Sequence, residues 1–477
     1  MAPTSFAVSK ETNLKIRNSS TTSYALCVAF ALVLALAPPI CGAQTDSTPS
    51  TTSDLAKRVD DLEKQLADLK AQLATQKPAE AAPPASEKPA TTEAPAAEAA
   101  TSAPAAAPAP TGLAGLLGPT TLSGFVDAYY GYNSNQPASR TNALRNFDIN
   151  SGQFGLNMLE LIADKATDPT NRVGYHIALG FGQAMNLVNS SEIGSPLIPS
   201  TPLGGPAVSN FDQYLKEGYL EYLAPAGKGL KIDVGKFVTN AGAEVIESKD
   251  NWNYSRGLLF SWAIPYFHFG ARALYTFNDK VSVSASVVNG WNNSVDDNTG
   301  KTVGFTLTVN PTKKLTIIEN YYGGPEHLNY NGAFRNLSDT VITYTPTAKL
   351  SLMANYDYGR DHFVISALPG VPPFIDGSRA VWSGLAGYLK YAFNDKYAVS
   401  LRGEYFDDNQ GFATGTSQEL NEFTATLQRT IAKAIITRLE FRRDSSDARV
   451  FPRGLNGFVS GQNTATLGVI YAFSTAP

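Results

Sequence analysis

Arg438, Glu440 and Arg442 stand two residues apart in the stretch ITRLEFRR, and Arg402 and Glu404 do the same in SLRGEYF. A spacing of two places side chains on one face of a β-strand, with Ile435, Thr437 and Leu439 on the other face of the first stretch. His268 and Arg272 follow the same rule in FHFGARALY. Charges of both signs on the polar faces of neighbouring strands have two uses. Facing water across a pore, they set up a transverse field that orients dipolar solutes and biases ion passage. Facing one another, they pair and hold the sheet together.

A second concentration of chemistry lies in the connection 240–265, where Glu244, Glu247, Lys249, Asp250 and Arg256 accompany Trp252, Tyr254 and Trp262. A long connection this aromatic is a poor candidate for a free loop in water. It either folds inward or over a mouth, with its carboxylates toward a solute path, or it packs on a neighbouring subunit or the rim. The candidate pore-lining or constriction residues are therefore Glu244, Glu247, Asp250, Arg256, Arg272, Arg402, Glu404, Arg438, Glu440 and Arg442.

Catalysis finds no such support. The histidines His176, His268, His327 and His362 have no partner at a telling spacing, and the expected loops take His327 and His362. There is no GxSxG, HExxH or phosphate-binding glycine loop, and NAGAEV is not one. No catalytic, cofactor-binding or metal-binding residue is assigned, no cofactor is expected, and the chain does not read as an enzyme.

The elements that would position these charges have period two. In VSVSASVV, Val281, Val283, Ala285 and Val287 face one way and Ser282, Ser284 and Ser286 the other, and 350–358 and 464–473 alternate likewise. About sixteen strands follow: 120–133, 147–162, 171–183, 211–224, 229–239, 266–277, 280–291 and 302–310 make the first half. The second half is 314–323, 337–346, 349–358, 381–393, 396–407, 418–429, 434–444 and 463–473. Connections after even strands are short (TDPTN, PAGKG, NDK, NPTKK, TPTAK, NDK, RTIAK), and those after odd strands are long: 134–146, 184–210, 240–265, 292–301, 324–336, 359–380, 408–417 and 445–462. A soluble sandwich shares the alternation but does not sort its loops this way, whereas a transmembrane up-and-down β-barrel does. Aromatics gather at strand ends, as in Tyr129-Tyr130, Tyr321-Tyr322 and Tyr405-Phe406, where interfacial girdles belong. FNDK occurs twice, at 277–280 and 393–396, as a tight turn whose Asn and Asp tolerate left-handed backbone.

The preceding region has a different style. Lys10, Lys15 and Arg17, the apolar Tyr24–Ala37 run and Cys41-Gly42-Ala43 make 1–43 an export signal rather than a spanning anchor, since the run falls short of the ~20 residues required. Both cysteines, Cys27 and Cys41, fall inside it, so an exported chain has no thiol. Within 44–77, Leu55, Val59, Leu62, Leu66, Leu69 and Leu73 alternate spacings of four and three, a coiled-coil seam that does not settle dimer against trimer. The Ala/Pro-rich stretch 78–118 cannot bury a core and reads as an extended, disordered linker. The all-β barrel occupies 119–477. A formal charge of −4 gives no sign of a nucleic-acid partner.

The stretches GFVDAYYGYN (124–133), RTNALRNFDIN (140–150), YLAPAGKGLKIDVGKFVTNAGAEVIESKDNWNYSRGLLF (222–260), VVNGWNN (287–293) and YYGGPE (321–326) resemble the putative β-barrel porin-2 (OmpL-like) family of Gram-negative outer membranes. The resemblance covers nearly all of 120–477 and implies an outer-membrane pore without naming a solute. Its expected partners are membrane lipid, small hydrophilic solutes and further copies of the chain (a trimer favoured) through barrel and coiled coil, with the N-terminal segment in the periplasm. The rival reading is a structural tether acting through that coiled coil. One departure is that Phe473 is followed by Ser-Thr-Ala-Pro, so the chain does not end on an aromatic.

Overall fold

The computed structural model describes residues 118–190, 213–365 and 374–475. The expected export signal, coiled coil and linker, up to residue 117, lie outside the described residues. The barrel strands are β1 (Thr121–Asn133), β2 (Gln153–Lys165), β3 (Val173–Phe181), β4 (Leu215–Ala224), β5 (Leu230–Val238), β6 (Phe267–Asn278), β7 (Val281–Val288) and β8 (Thr302–Thr312). They continue as β9 (Leu315–His327), β10 (Tyr330–Tyr344), β11 (Leu350–Ile365), β12 (Phe374–Ala392), β13 (Tyr397–Asp408), β14 (Gln418–Ile431) and β15 (Ile435–Ser446). After a small hairpin, β16 (Phe451–Arg453) and β17 (Gly457–Val459), the last strand is β18 (Gly461–Ser474).

Sixteen of these strands form one closed antiparallel barrel. Each pairs with its neighbours in sequence, and β1 closes the ring against β18, from Ser123 opposite Ser474 to Asn133 opposite Thr464. The alternation sorts side chains as a membrane requires. Leu439, Phe441, Leu467 and Val469 are exposed, whereas Arg438, Glu440, Arg442, Thr464 and Thr466 between them are buried. An apolar exterior around a charged interior inverts a soluble protein and suits hydrocarbon outside.

The strand ends differ from the sequence expectation where chain folds inward or pairing outruns the alternation. The second strand starts at Gln153, not 147, because 140–150 is a folded-in loop with Arg140 and Leu144 in left-handed backbone. The expected long loop 324–336 is a tight hairpin, with β9 running to His327 and Pro325 paired with Phe334. Likewise β11 and β12 extend into the expected loop 359–380, so His327 and His362 lie on strands. Pairing carries these strands beyond the apolar band, where an alternating pattern is no longer required. The aromatic girdles are thinner than expected too, because Tyr129, Tyr322 and Phe406 are buried on inner faces.

The repeated FNDK folds the same way twice, though not through left-handed residues, which occur at neither turn. Instead Asn278 Oδ1 accepts the backbone N–H of Lys280 (2.8 Å) and Val281 (3.1 Å), and Asn394 Oδ1 accepts those of Lys396 (2.9 Å) and Tyr397 (3.0 Å). The side chain closes the turn itself. Beside each, an edge-to-face aromatic pair stands outside, Tyr275 with Phe277 and Tyr391 with Phe393.

Candidate constriction site

Irregular backbone at membrane depth needs partners for every N–H and C=O, because neither lipid nor a dry interior supplies them. The connection between β5 and β6, residues 239–266, meets this demand by crossing the lumen to the far wall. Its start is held near β9–β11: Asn240 N–H donates to the Tyr322 hydroxyl (3.2 Å) and Gly242 N–H to Asp339 (2.9 Å). Beyond that it docks on β13–β15 and β1.

There the wall arginines supply donors to the loop's carbonyls. Arg402 donates to the Ser255 carbonyl (2.7 Å), Arg442 to that of Arg256 (2.6 Å), and Arg438 to those of Asn251 (2.6 Å), Asn253 (3.0 Å) and Ser248. The wall glutamates accept the loop's N–H groups. Glu440 takes Tyr254 (2.6 Å) and Ser255 (3.0 Å), one on each oxygen. Glu404 takes Leu258 (2.6 Å) and Leu259 (3.4 Å) at the start of the single-turn helix α1 (Leu258–Trp262). Gly257 passes so close that a Cβ there would lie 2.2 Å from a Glu404 oxygen. Trp382 closes the far end by donating to the Ala263 carbonyl (3.0 Å).

Side chains add a second layer. Glu244 accepts from Arg402 (2.6 Å) and from Gly257 N–H (2.5 Å), and Arg402 also pairs with Glu422 (3.0 Å). Asp127 of β1 accepts from Ser248 (2.5 Å) and from the Tyr254 hydroxyl (2.9 Å). The apolar side of the loop, Tyr254, Leu258, Leu259, Phe260 and Ile264, packs with Phe125, Tyr129, Phe406 and Leu420 of the wall. The first long loop lies against it as well. Phe147 packs tilted against Phe260 and edge-to-face with Tyr266, Arg256 sits 4.4 Å from the Phe147 ring, and Asn146 donates to the Ser261 carbonyl.

The fold therefore gathers Glu244, Arg256, Arg402, Glu404, Arg438, Glu440 and Arg442 into one buried seat between loop and wall. Glu247 leaves that group to pair with Lys216 of β4, and Asp250 pairs with Lys249 while remaining half exposed. Arg272 stands on the opposite wall, held by Asp233 (2.8 Å). It borders a cavity of about 330 Å³ with Lys231, Asn240, Ser282, Ser284, Thr306 and Thr308, residues of β5–β8 and the first loop positions. Asp127, Glu422, Asp444 and Arg145 also belong to the seat and were not singled out from sequence. Glu422 and Asp444 carry the same signal as their neighbours, a charge on the polar face of an alternating strand. Asp127 shows only as a lone acid in the aromatic run GFVDAYYGYN.

The family model described as "putative beta-barrel porin-2, OmpL-like" matches residues 119–473. No curated protein matches the chain. Solved structures similar to it include an anion-selective porin from Comamonas acidovorans, at 11% identity and a TM-score of 0.48, covering 74% of this chain and 99% of that one. Salmonella typhi OmpF in complex with daunomycin gives 12% identity and 0.48, covering 74% and 97%. The outer membrane channel DcaP of Acinetobacter baumannii gives 12% and 0.46 over the same shares.

Proposed function

The chain belongs to the putative beta-barrel porin-2, OmpL-like, family and is an outer-membrane porin, and from that premise we propose that small hydrophilic solutes cross it passively, along the β5–β9 side of a lumen narrowed by 239–266. One observation carries this reading: the loop is anchored to β1 and β12–β15, while hydroxyl side chains of β7 and β8 border the cavity beside Arg272 and Asp233. Barrels of sixteen strands leave an aqueous interior unless something fills it. Here a well-anchored loop fills part of it. The cavity beside it is lined by Ser282, Ser284, Thr306 and Thr308, with Thr306 accepting from Asn240 at the start of the loop (3.0 Å) and Arg272 and Lys231 each beside a carboxylate, Asp233 and Glu221. Hydroxyls exchange hydrogen bonds readily with hydrated solutes, and paired charges leave little net field to exclude either ion sign.

Reconstitution in planar bilayers tests the reading. Deletion within 241–256 should raise single-channel conductance, because the seat would be vacated. Unchanged conductance would remove the loop from the solute path. A neutral Arg272→Gln should shift ion selectivity toward cations while leaving the loop's anchors intact.

A further inference from the structure

We propose that the outer face of β9 and β10 is a docking surface for a second copy of this chain. The register sets Glu319 opposite Thr340 on one side and Leu307 on the other. These are outward positions, since Asn320 and Asp339 next to them are fully buried inside the barrel. The Glu319 carboxylate accepts hydrogen bonds from Ser338 Oγ (2.7 Å) and Thr340 Oγ1 (2.5 Å). One rung away, the Tyr321 hydroxyl donates to Asn336 Oδ1 (2.8 Å). A polar ladder thus runs along the exterior.

Its height matters. The outward rows pair Leu315 with Tyr344, Ile317 with Ile342, Glu319 with Thr340 and Tyr321 with Ser338, so Glu319 lies between two aromatic positions, Tyr344 and Tyr321, rather than at a rim. On other strands the middle of the outer row is apolar, as at Val126, Leu161, Leu385, Leu401, Leu427 and Leu439. A carboxylate on the lipid face is costly at that depth. Each Glu319 oxygen has one hydroxyl donor in the chain and retains acceptor capacity that hydrocarbon cannot meet.

The occupant follows from the ladder's composition. It offers acceptors at Glu319 and, at Asn336, the second N–H of an amide whose first donates to the Phe334 carbonyl (3.1 Å), so it can meet a copy of itself in an isologous contact. Polar groups join spanning elements for this reason. The sequence of the same chain also carries the heptad seam at 54–77, which would keep further copies within reach through the linker. The inference rests on the barrel lying in a bilayer and not on what passes through it.

Photo-cross-linking in the full-length protein tests it. A benzophenone side chain replacing Tyr321 should give a homo-oligomeric adduct, and one replacing Leu161, across the ring on β2, should not. Glu319→Leu should diminish that adduct and the oligomer seen by native mass measurement, with conductance per barrel unchanged. Thr340→Val, a milder change, should weaken both in the same direction. Equal adducts at both sites, adducts only with lipid or another protein, or an oligomer indifferent to both substitutions would overturn the proposal.

Discussion

Arg402 uses its whole planar fork. Nε and Nη2 face Glu422, Nη1 reaches Glu244 and the Ser255 carbonyl, and Nη2 also reaches the Ser255 and Thr424 hydroxyls. Lysine could not span this set. Arg402→Met should destabilise the folded barrel by about 3–5 kcal/mol, because it leaves Glu244 buried without its cation and Glu422 with only the more distant Arg442 (3.5 Å). Denaturant unfolding in detergent would measure the loss, and adding Glu422→Gln should recover part of it. Asp148 makes the opposite kind of prediction. Burial raises its carboxyl above the ordinary range despite Arg145 beside it. A group raised on folding contributes most below its unfolded pKa, and that contribution is lost as pH rises through the folded one. Hydrogen-exchange protection of 141–150, corrected for intrinsic rates, should fall across that window, and Asp148→Asn should flatten the dependence. That Arg402 and Arg438 lie on a polar face is legible in the sequence. That they serve backbone carbonyls of a loop in the first half of the barrel is not, because no local pattern records a contact at such separation.

At the level of elements, period two located every barrel strand, and the sorting of short and long connections was enough to separate a membrane barrel from a sandwich. The ends were harder to read. Gly324-Pro325-Glu326-His327 falls in an expected loop, yet β10 pairs with Gly324, Pro325 and His327 and keeps it a strand. Tertiary pairing overrides local preference there. The loop 239–266 declared its aromatics but not its direction, since inward and sideways packing demand the same side chains. Gly468 on β18 offers a way to test that direction. A Cβ there would lie 2.4 Å from the Tyr254 ring. Gly468→Val should lift Tyr254 from its seat and raise or destabilise single-channel current, whereas Gly403→Val, on the outer face of β13, should leave the current as it was.

For the whole molecule, the barrel and the region before it make separable claims. Deleting 44–118 while keeping 1–43 should leave conductance per barrel intact if the pore carries the function. A detached or blebbing envelope with normal conductance would shift the weight to a tether. The arrangement of the loop also bears on how the barrel is made. Tyr254 touches Asp127 on β1 and Glu440 on β15, and β18 lies between those two strands with Gly468 beneath the ring. The loop therefore clasps the first and last strands of the barrel across the seam where the ring closes. Before the last strand meets the first, Tyr254 has only part of its seat. Closure and seating are coupled through contacts distant in sequence. The loop residues that dock on the wall would thus also register that the ring is complete.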